Sequence, residues 1–218
     1  MSKPDASDTE ASWLRTPLTD ADEIASRYDE WVPTYEHELV TQWRYDAPFV
    51  AGRRITELLA DITTASVLDL GCGTGLVGQH LHRAGVRMID GVDVSQASLV
   101  AALATGFYRN VMRHDFNGGA LPFAAHCYDA AISVGVLSYA LDPLAVIRDL
   151  CRVVVPRSAV VFTHRTDLWE TQNLSVGLTK LRESGEISEV SWSEPQPYMP
   201  GNPTEGDLQI RYVVLTTG

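Results

Sequence analysis

Lysine is nearly missing from this chain. Of its 17 basic residues only Lys3 and Lys180 are lysines, and against them stand 28 acidic residues, for a net charge of −11 over 218 residues. A surface of that sign repels a phosphate backbone, so nucleic acid is not expected as a partner. The arginine bias reads as a GC-rich bacterial genome and says nothing about chemistry. Cysteine is also scarce: Cys72, Cys127 and Cys151 show no C-x-x-C spacing and sit in apolar or glycine-rich stretches, which excludes a disulfide framework and reads as reduced interior thiols. The longest apolar-looking run, near residues 130–141, is too short to span a bilayer, and the first ten residues are polar and acidic, unlike a secretory leader. These absences give a cytoplasmic protein with no membrane partner. His80 and His82 stand two apart on a helical stretch and face different ways, so no metal site is expected.

What is present is an ordinary soluble composition, 45% hydrophobic and 21% charged, in a length suited to one domain. Residues 1–17 are polar with prolines at both ends and read as a loose arm; residues 18–218 form the domain, with a helical cap over 18–60. Thr19 and Asp22 resemble a capping box opening a helix in which Ile24, Tyr28, Trp31 and Tyr35 recur at helical spacing, and Pro33 is expected to split it. A further helix over 46–59 is expected to turn Phe49, Val50, Ile55, Leu58 and Leu59 inward. From Ser66 onward short apolar runs alternate with helical patterns, the mark of a parallel sheet covered on both faces. Strands are predicted at 66–70, 88–93, 110–114, 128–134 and 158–163, with helices at 76–84, 96–105 and 142–153. A helix at 170–183 and two β-prone segments, 187–193 and 208–216, close the chain.

Residues 67–75 read Val-Leu-Asp-Leu-Gly-Cys-Gly-Thr-Gly, a buried strand that breaks into a glycine loop with a carboxylate at the turn. Glycines there admit positive φ and close approach of a ligand, and the helix that follows aims its first N–H groups at the same place. Two ligands compete for such a loop. Gly73, Gly75 and Gly78 satisfy the dinucleotide spacing G-x-G-x-x-G, and Asp93 lies 18 residues after Gly75. Yet a pyrophosphate would meet the charge of Asp69, whereas S-adenosylmethionine carries an ammonium and a sulfonium that a carboxylate favours, and its own carboxylate could use the loop amides. No tyrosine stands four residues before either lysine, so the Tyr-x-x-x-Lys of a short-chain dehydrogenase is missing.

The run Asp69-Leu70-Gly71-Cys72-Gly73-Thr74-Gly75 resembles motif I of the class I S-adenosylmethionine-dependent methyltransferases. The likeness covers roughly residues 28–170. Through Gly-Val-Asp-Val-Ser and Ser-Val-Gly-Val-Leu-Ser it is nearest to the Williams-Beuren-region methyltransferase-like subgroup. It implies a Rossmann-like, doubly wound α/β fold: a seven-stranded sheet of order 3-2-1-4-5-7-6, mostly parallel, with an antiparallel terminal strand. S-adenosylmethionine would be the cofactor and S-adenosylhomocysteine the product.

On that reading Asp69, Gly71, Cys72, Gly73 and Gly75 form the donor loop. Asp93, at the end of the second strand, can accept from two vicinal ribose hydroxyls, its bland alternative being a cap for the next helix; Asp90 points to the opposite face. The resemblance assigns the adenine amino group to Asp115 and the ring to Phe116 and Val94, while Asp115 could equally be a loop acid opening the Asn117-Gly118-Gly119 turn. Ser133, in the fourth strand, passes beneath the methionine part. The DNA amino-methyltransferase tetrad of Asn or Asp, two prolines and an aromatic is absent there, and Pro156-Arg157-Ser158 replaces the usual Pro-Gly-Gly before strand five.

Transfer from a sulfonium is an in-line displacement on an activated carbon, which asks for alignment more than for a base. His164 is a candidate proton acceptor or, equally, a hydrogen-bonded strand-end histidine; Tyr28 and Tyr35, whose spacing also suits core packing, are the other candidate catalytic side chains, with Trp31, Tyr139, Arg165 and Trp169 as candidate substrate contacts. The expected acceptor is a small molecule methylated on O, N or C, by a monomer or homodimer. A protein methyltransferase and a non-catalytic S-adenosylmethionine-binding module remain open alternatives.

Overall fold

A computed structural model describes residue 18 and residues 20–218. The chain opens with α1 (Ala21–Glu36), a π-helical turn (His37–Gln42) and α2 (Ala47–Thr56). There follow β1 (Ser66–Leu70), α3 (Leu76–Ala84), β2 (Met88–Asp93), α4 (Gln96–Ala104), β3 (Asn110–Arg113), β4 (Ala130–Ser133) and α5 (Pro143–Val153). The last part holds β5 (Ala159–Arg165), a single turn α6 (Thr166–Trp169), α7 (Leu174–Glu183), β6 (Ile187–Trp192), the two-residue β7 (Gln196–Pro197) and β8 (Gln209–Thr217).

The sheet runs β3-β2-β1-β4-β5-β8-β6, parallel through β5 and antiparallel where β8 meets β5 and β6. This is the expected seven-strand order, with β7 added at the side of β8. Side chains of β1 alternate between the two layers: Val67 joins one core with Ala51, Ile55, Leu81 and Ile89, and Leu68 and Leu70 join the other with Ile147, Leu150 and Phe162. The order reverses at β1, between β2 and β4, so a crevice opens beyond the carboxyl ends of those strands.

Four local expectations are corrected. Thr19 lies outside the described residues, and the cap of α1 is Asp20, whose carboxylate accepts from Glu23 N at 2.9 Å. Pro33 does not split α1. It removes one N–H on an exposed stretch, while Tyr28, Trp31 and Tyr35, with ring centroids 4.7–6.0 Å apart, hold both halves of the helix together. In α2 the core face is Ala47, Ala51 and Ile55, whereas Phe49 lies exposed in α2 and Leu58 just beyond it. Cys72 is buried as expected of an interior thiol, but Cys127 is exposed.

Candidate functional site

The glycine loop is shaped from within. Gly71, Gly73 and Gly75 take φ of 74°, 52° and 108°, values that L side chains adopt only under strain. A Cβ on Gly71 would lie 2.0 Å from Val136 Cγ2, and one on Gly73 would meet only the Tyr35 hydroxyl, 3.8 Å away. Four of the loop's amides are partnered within the chain. Gly71 N and Cys72 N donate to Val92 O, at 2.7 and 3.0 Å; Gly73 N donates to Asp93 Oδ2 at 2.8 Å; Gly75 N donates to Cys72 O at 3.0 Å. At the first turn of α3, Gly78 N donates to the Tyr108 hydroxyl at 3.0 Å.

Above the loop lies a narrow cleft, with about 70 Å³ open to the centre of a water molecule. It brings together nine residues that the sequence singles out: Tyr28, Tyr35, Gly71, Gly73, Asp93, Val94, Asp115, Phe116 and Tyr139. Asp93 also accepts from Ser95 N at 2.9 Å; burial raises its pKa, a rise that these two N–H groups offset only in part. Asp115 Oδ1 accepts from Asn117 N at 2.8 Å, so this acid both opens the turn and faces the cleft. Burial pushes the phenols of Tyr28, Tyr35 and Tyr139 well up, so they stay neutral at physiological pH and serve as donors rather than bases.

The other singled-out residues stand elsewhere. Asp69 is fully buried below the loop and accepts from the Tyr108 hydroxyl at 2.7 Å. Burial lifts its pKa to about 7, the Tyr108 hydrogen bond opposes that rise, and Asp93 adds to it. Cys72 is buried against β2, its Sγ within 2.8 Å of where a Cβ on Gly91 would lie. Gly75 caps α3 from beneath, and Ser133 donates to Leu70 O at 3.0 Å. Trp31 stands behind the tyrosine wall, packed on Trp43, and donates to Glu38 Oε2 at 2.7 Å.

Arg165 and Trp169 correct the sequence reading and His164 takes its alternative of a hydrogen-bonded strand-end histidine, because none of the three lines the cleft. His164 is fully buried, with Nδ1 2.9 Å from Arg165 O and Nε2 2.7 Å from Gln172 Oε1; burial holds its pKa down. Arg165 pairs with Asp167 through Nε at 3.0 Å and Nη2 at 2.6 Å. Trp169 packs between His164 and Trp192.

Val134, Gly135 and Val136 bring the Ser-Val-Gly-Val-Leu-Ser run into the lining, as the resemblance implies, whereas Ala21, Ile24, His114 and Asn117 join it from positions that the sequence does not mark as a site. Two acids of α1 tie it to the floor: Asp29 Oδ1 accepts from Ser95 Oγ at 2.5 Å and Ala97 N at 3.1 Å, and Glu36 Oε1 accepts from Thr74 Oγ1 at 2.8 Å. Only the fold brings these partners together.

The cleft fits S-adenosylmethionine on one observation above all. With the amides of residues 71, 72, 73, 75 and 78 already partnered, the loop is a poor cradle for a pyrophosphate, while the two acids of the lining, Asp93 and Asp115, suit a ligand bearing positive charge. The same bonds occupy the N–H groups of residues 71, 72, 73, 75 and 78 before any carboxylate of the donor arrives.

Comparison with known proteins agrees. Residues 68–162 match the family model described as a methyltransferase domain. The chain is 33% identical over 162 residues to human methyltransferase-like protein 27, covering 72% of this chain and 65% of that protein. It is 35% identical over 86 residues to the 18S rRNA (guanine(1575)-N(7))-methyltransferase of Saccharomyces cerevisiae, covering 39% of this chain and 31% of that one. The chain thus spans less than two thirds of the length of these relatives. Its fold is that of the Synechocystis magnesium protoporphyrin IX methyltransferase solved with S-adenosylmethionine bound, with a TM-score of 0.66 at 17% identity, over 93% of this chain and 99% of that one. Fold, loop and family match together place this chain in the class I S-adenosylmethionine-dependent methyltransferases.

Proposed function

We propose that the chain transfers a methyl group from S-adenosylmethionine to a small-molecule acceptor. The observation that carries the donor half is that the amides of Gly71, Cys72, Gly73 and Gly75 are partnered within the chain beneath a cleft whose wall carries Asp93 and Asp115. Asp93 is assigned the ribose hydroxyls, Asp115 the adenine amino group, Phe116 and Val94 the ring faces, and the loop at Gly71 and Gly73 the methionine part. Bound there, the cofactor supplies an activated methyl carbon on a sulfonium.

The chain's own part is alignment. Tyr28 and Tyr35 from α1, with Tyr139 from the segment after β4, wall the remaining space with neutral phenols, which orient an acceptor by hydrogen bonds and ring contacts. With His164 buried away from the cleft, the acceptor's proton leaves to solvent or to His114, the one histidine in the lining. The small-molecule reading rests on the net charge of −11 and on the cleft's aromatic wall. No helix among the described residues is long and apolar enough to cross a membrane, which accords with a cytoplasmic role.

Titration calorimetry with S-adenosylmethionine, S-adenosylhomocysteine and NADH tests the donor; tight NADH binding with no response to the other two overturns it. Incubation of the chain with methyl-labelled donor and cell extract, fractionated by size, tests the acceptor. Label in small molecules supports this reading, and label in RNA or protein replaces it.

A further inference from the structure

We infer that Tyr108 is a positioning residue for the donor site: wedged under the glycine loop, it fixes the loop's shape and supplies the hydrogen bond on which the charge of the buried Asp69 depends. The inference rests on the donor reading above.

Tyr108 stands between α4 and β3, buried, far in sequence from motif I. Its ring occupies the space that side chains at three glycines would need. A Cβ on Gly78 would lie 2.4 Å from Tyr108 Cζ, one on Gly91 3.0 Å from Cδ1, and one on Gly75 3.2 Å from Cε2. Gly78, the third glycine of the dinucleotide-like spacing, is therefore explained by a phenol and needs no phosphate.

The hydroxyl joins two elements. It donates to Asp69 Oδ2 at 2.7 Å and accepts from Gly78 N at 3.0 Å, linking the end of β1 to the first turn of α3 across the base of the loop. It also satisfies one of the helix's unpaired first-turn donors. The other oxygen of Asp69, Oδ1, is buried and has no hydrogen-bond partner among the described residues. Besides Tyr108, the titratable groups acting with Asp69 are Asp93 on β2 and Cys72 in the loop, and neither is cationic. A carboxylate so enclosed ionises at a cost, which the phenol reduces and a bound cation reduces further. Donor affinity then rises with pH as Asp69 loses its proton, and Tyr108 keeps that rise within the physiological range.

The test is calorimetric affinity for S-adenosylmethionine between pH 6 and 8.5 for the wild type, Tyr108→Phe and Asp69→Asn. The ligand's own titration is common to all three. Tyr108→Phe keeps the ring and is expected to bind about tenfold more weakly at pH 7, the scale of one hydrogen bond to a charged group, with its pH midpoint moved alkaline. Asp69→Asn, which keeps an acceptor for the phenol, is expected to lose the protein's share of the pH dependence. A Tyr108→Phe profile that parallels the wild type at every pH, whether or not it is uniformly weaker, overturns the proposal. If that variant does not fold, identical profiles for the wild type and Asp69→Asn overturn it instead. A wild type that binds no S-adenosylmethionine at any pH condemns the donor reading itself.

Discussion

Replacing Asp93 with alanine probes the cofactor assignment most directly. Each oxygen of that carboxylate already accepts one backbone N–H, from Gly73 at 2.8 Å and from Ser95 at 2.9 Å, and each keeps a second lone pair for a ribose hydroxyl. A hydrogen bond to a charged group contributes about 1.5–3 kcal/mol. Two such bonds, taken at the low end because coupled bonds do not add, give about 3 kcal/mol, or roughly a 100-fold loss of affinity. The helix that follows keeps its cap, since Ser95 Oγ still accepts from Ser98 N, so the fold should survive. Calorimetry with S-adenosylhomocysteine, beside a melting curve, separates the two effects. An affinity within about threefold of the wild type, in a protein that melts normally, would refute the ribose assignment.

Other consequences are as specific. His164→Gln should leave kcat and its pH profile unchanged to within about twofold in a labelled-methyl assay; a loss beyond tenfold in a normally melting protein would return His164 to the chemistry. Gly71→Ala demands a strained φ of 74° and a clash with Val136, and should cost about 2 kcal/mol or more, read as a fall in Tm of roughly 4 °C or more. Asp69 binds its proton more tightly folded than unfolded, its pKa rising from 3.8 to about 7. Its contribution to stability is thus complete below pH 3.8 and lost as pH climbs through about 7. Without cofactor, Asp69→Asn should therefore flatten the decline in Tm between pH 5 and 8; an unchanged decline would show that Asp69 does not titrate there.

The sheet was legible because its signals are local. A stretch such as Val67–Leu70, apolar but for Asp69, needs only its neighbours to declare a buried strand, whereas the caps of α4 and α5, Ser95 and Asp142, emerge only with the structure. The donor side of the cleft was legible for a related reason. Gly71, Gly73, Asp93 and Asp115 sit at strand ends, which the doubly wound order gathers at one edge. What stayed hidden depends on partners distant in sequence. Helical spacing could not tell that Ala47 and Ala51, rather than Phe49, would meet the sheet, because two small residues let the helix approach closely. Nor could it foresee that β5 aims His164 toward Trp169 and Gln172. Tyr108 looks like any aromatic before a strand until three glycines are seen to surround it.

Because Asp29 and Glu36 grip Ser95 and Thr74, the first helix and the floor of the cleft share one free energy. Linkage makes such sharing reciprocal: any ligand that stiffens the floor also slows the peeling away of the helix, and loosening the helix must weaken the ligand by the same factor. Amide hydrogen exchange along residues 21–36 would thus act as a gauge of occupancy beneath them, readable without any knowledge of which acceptor the enzyme serves.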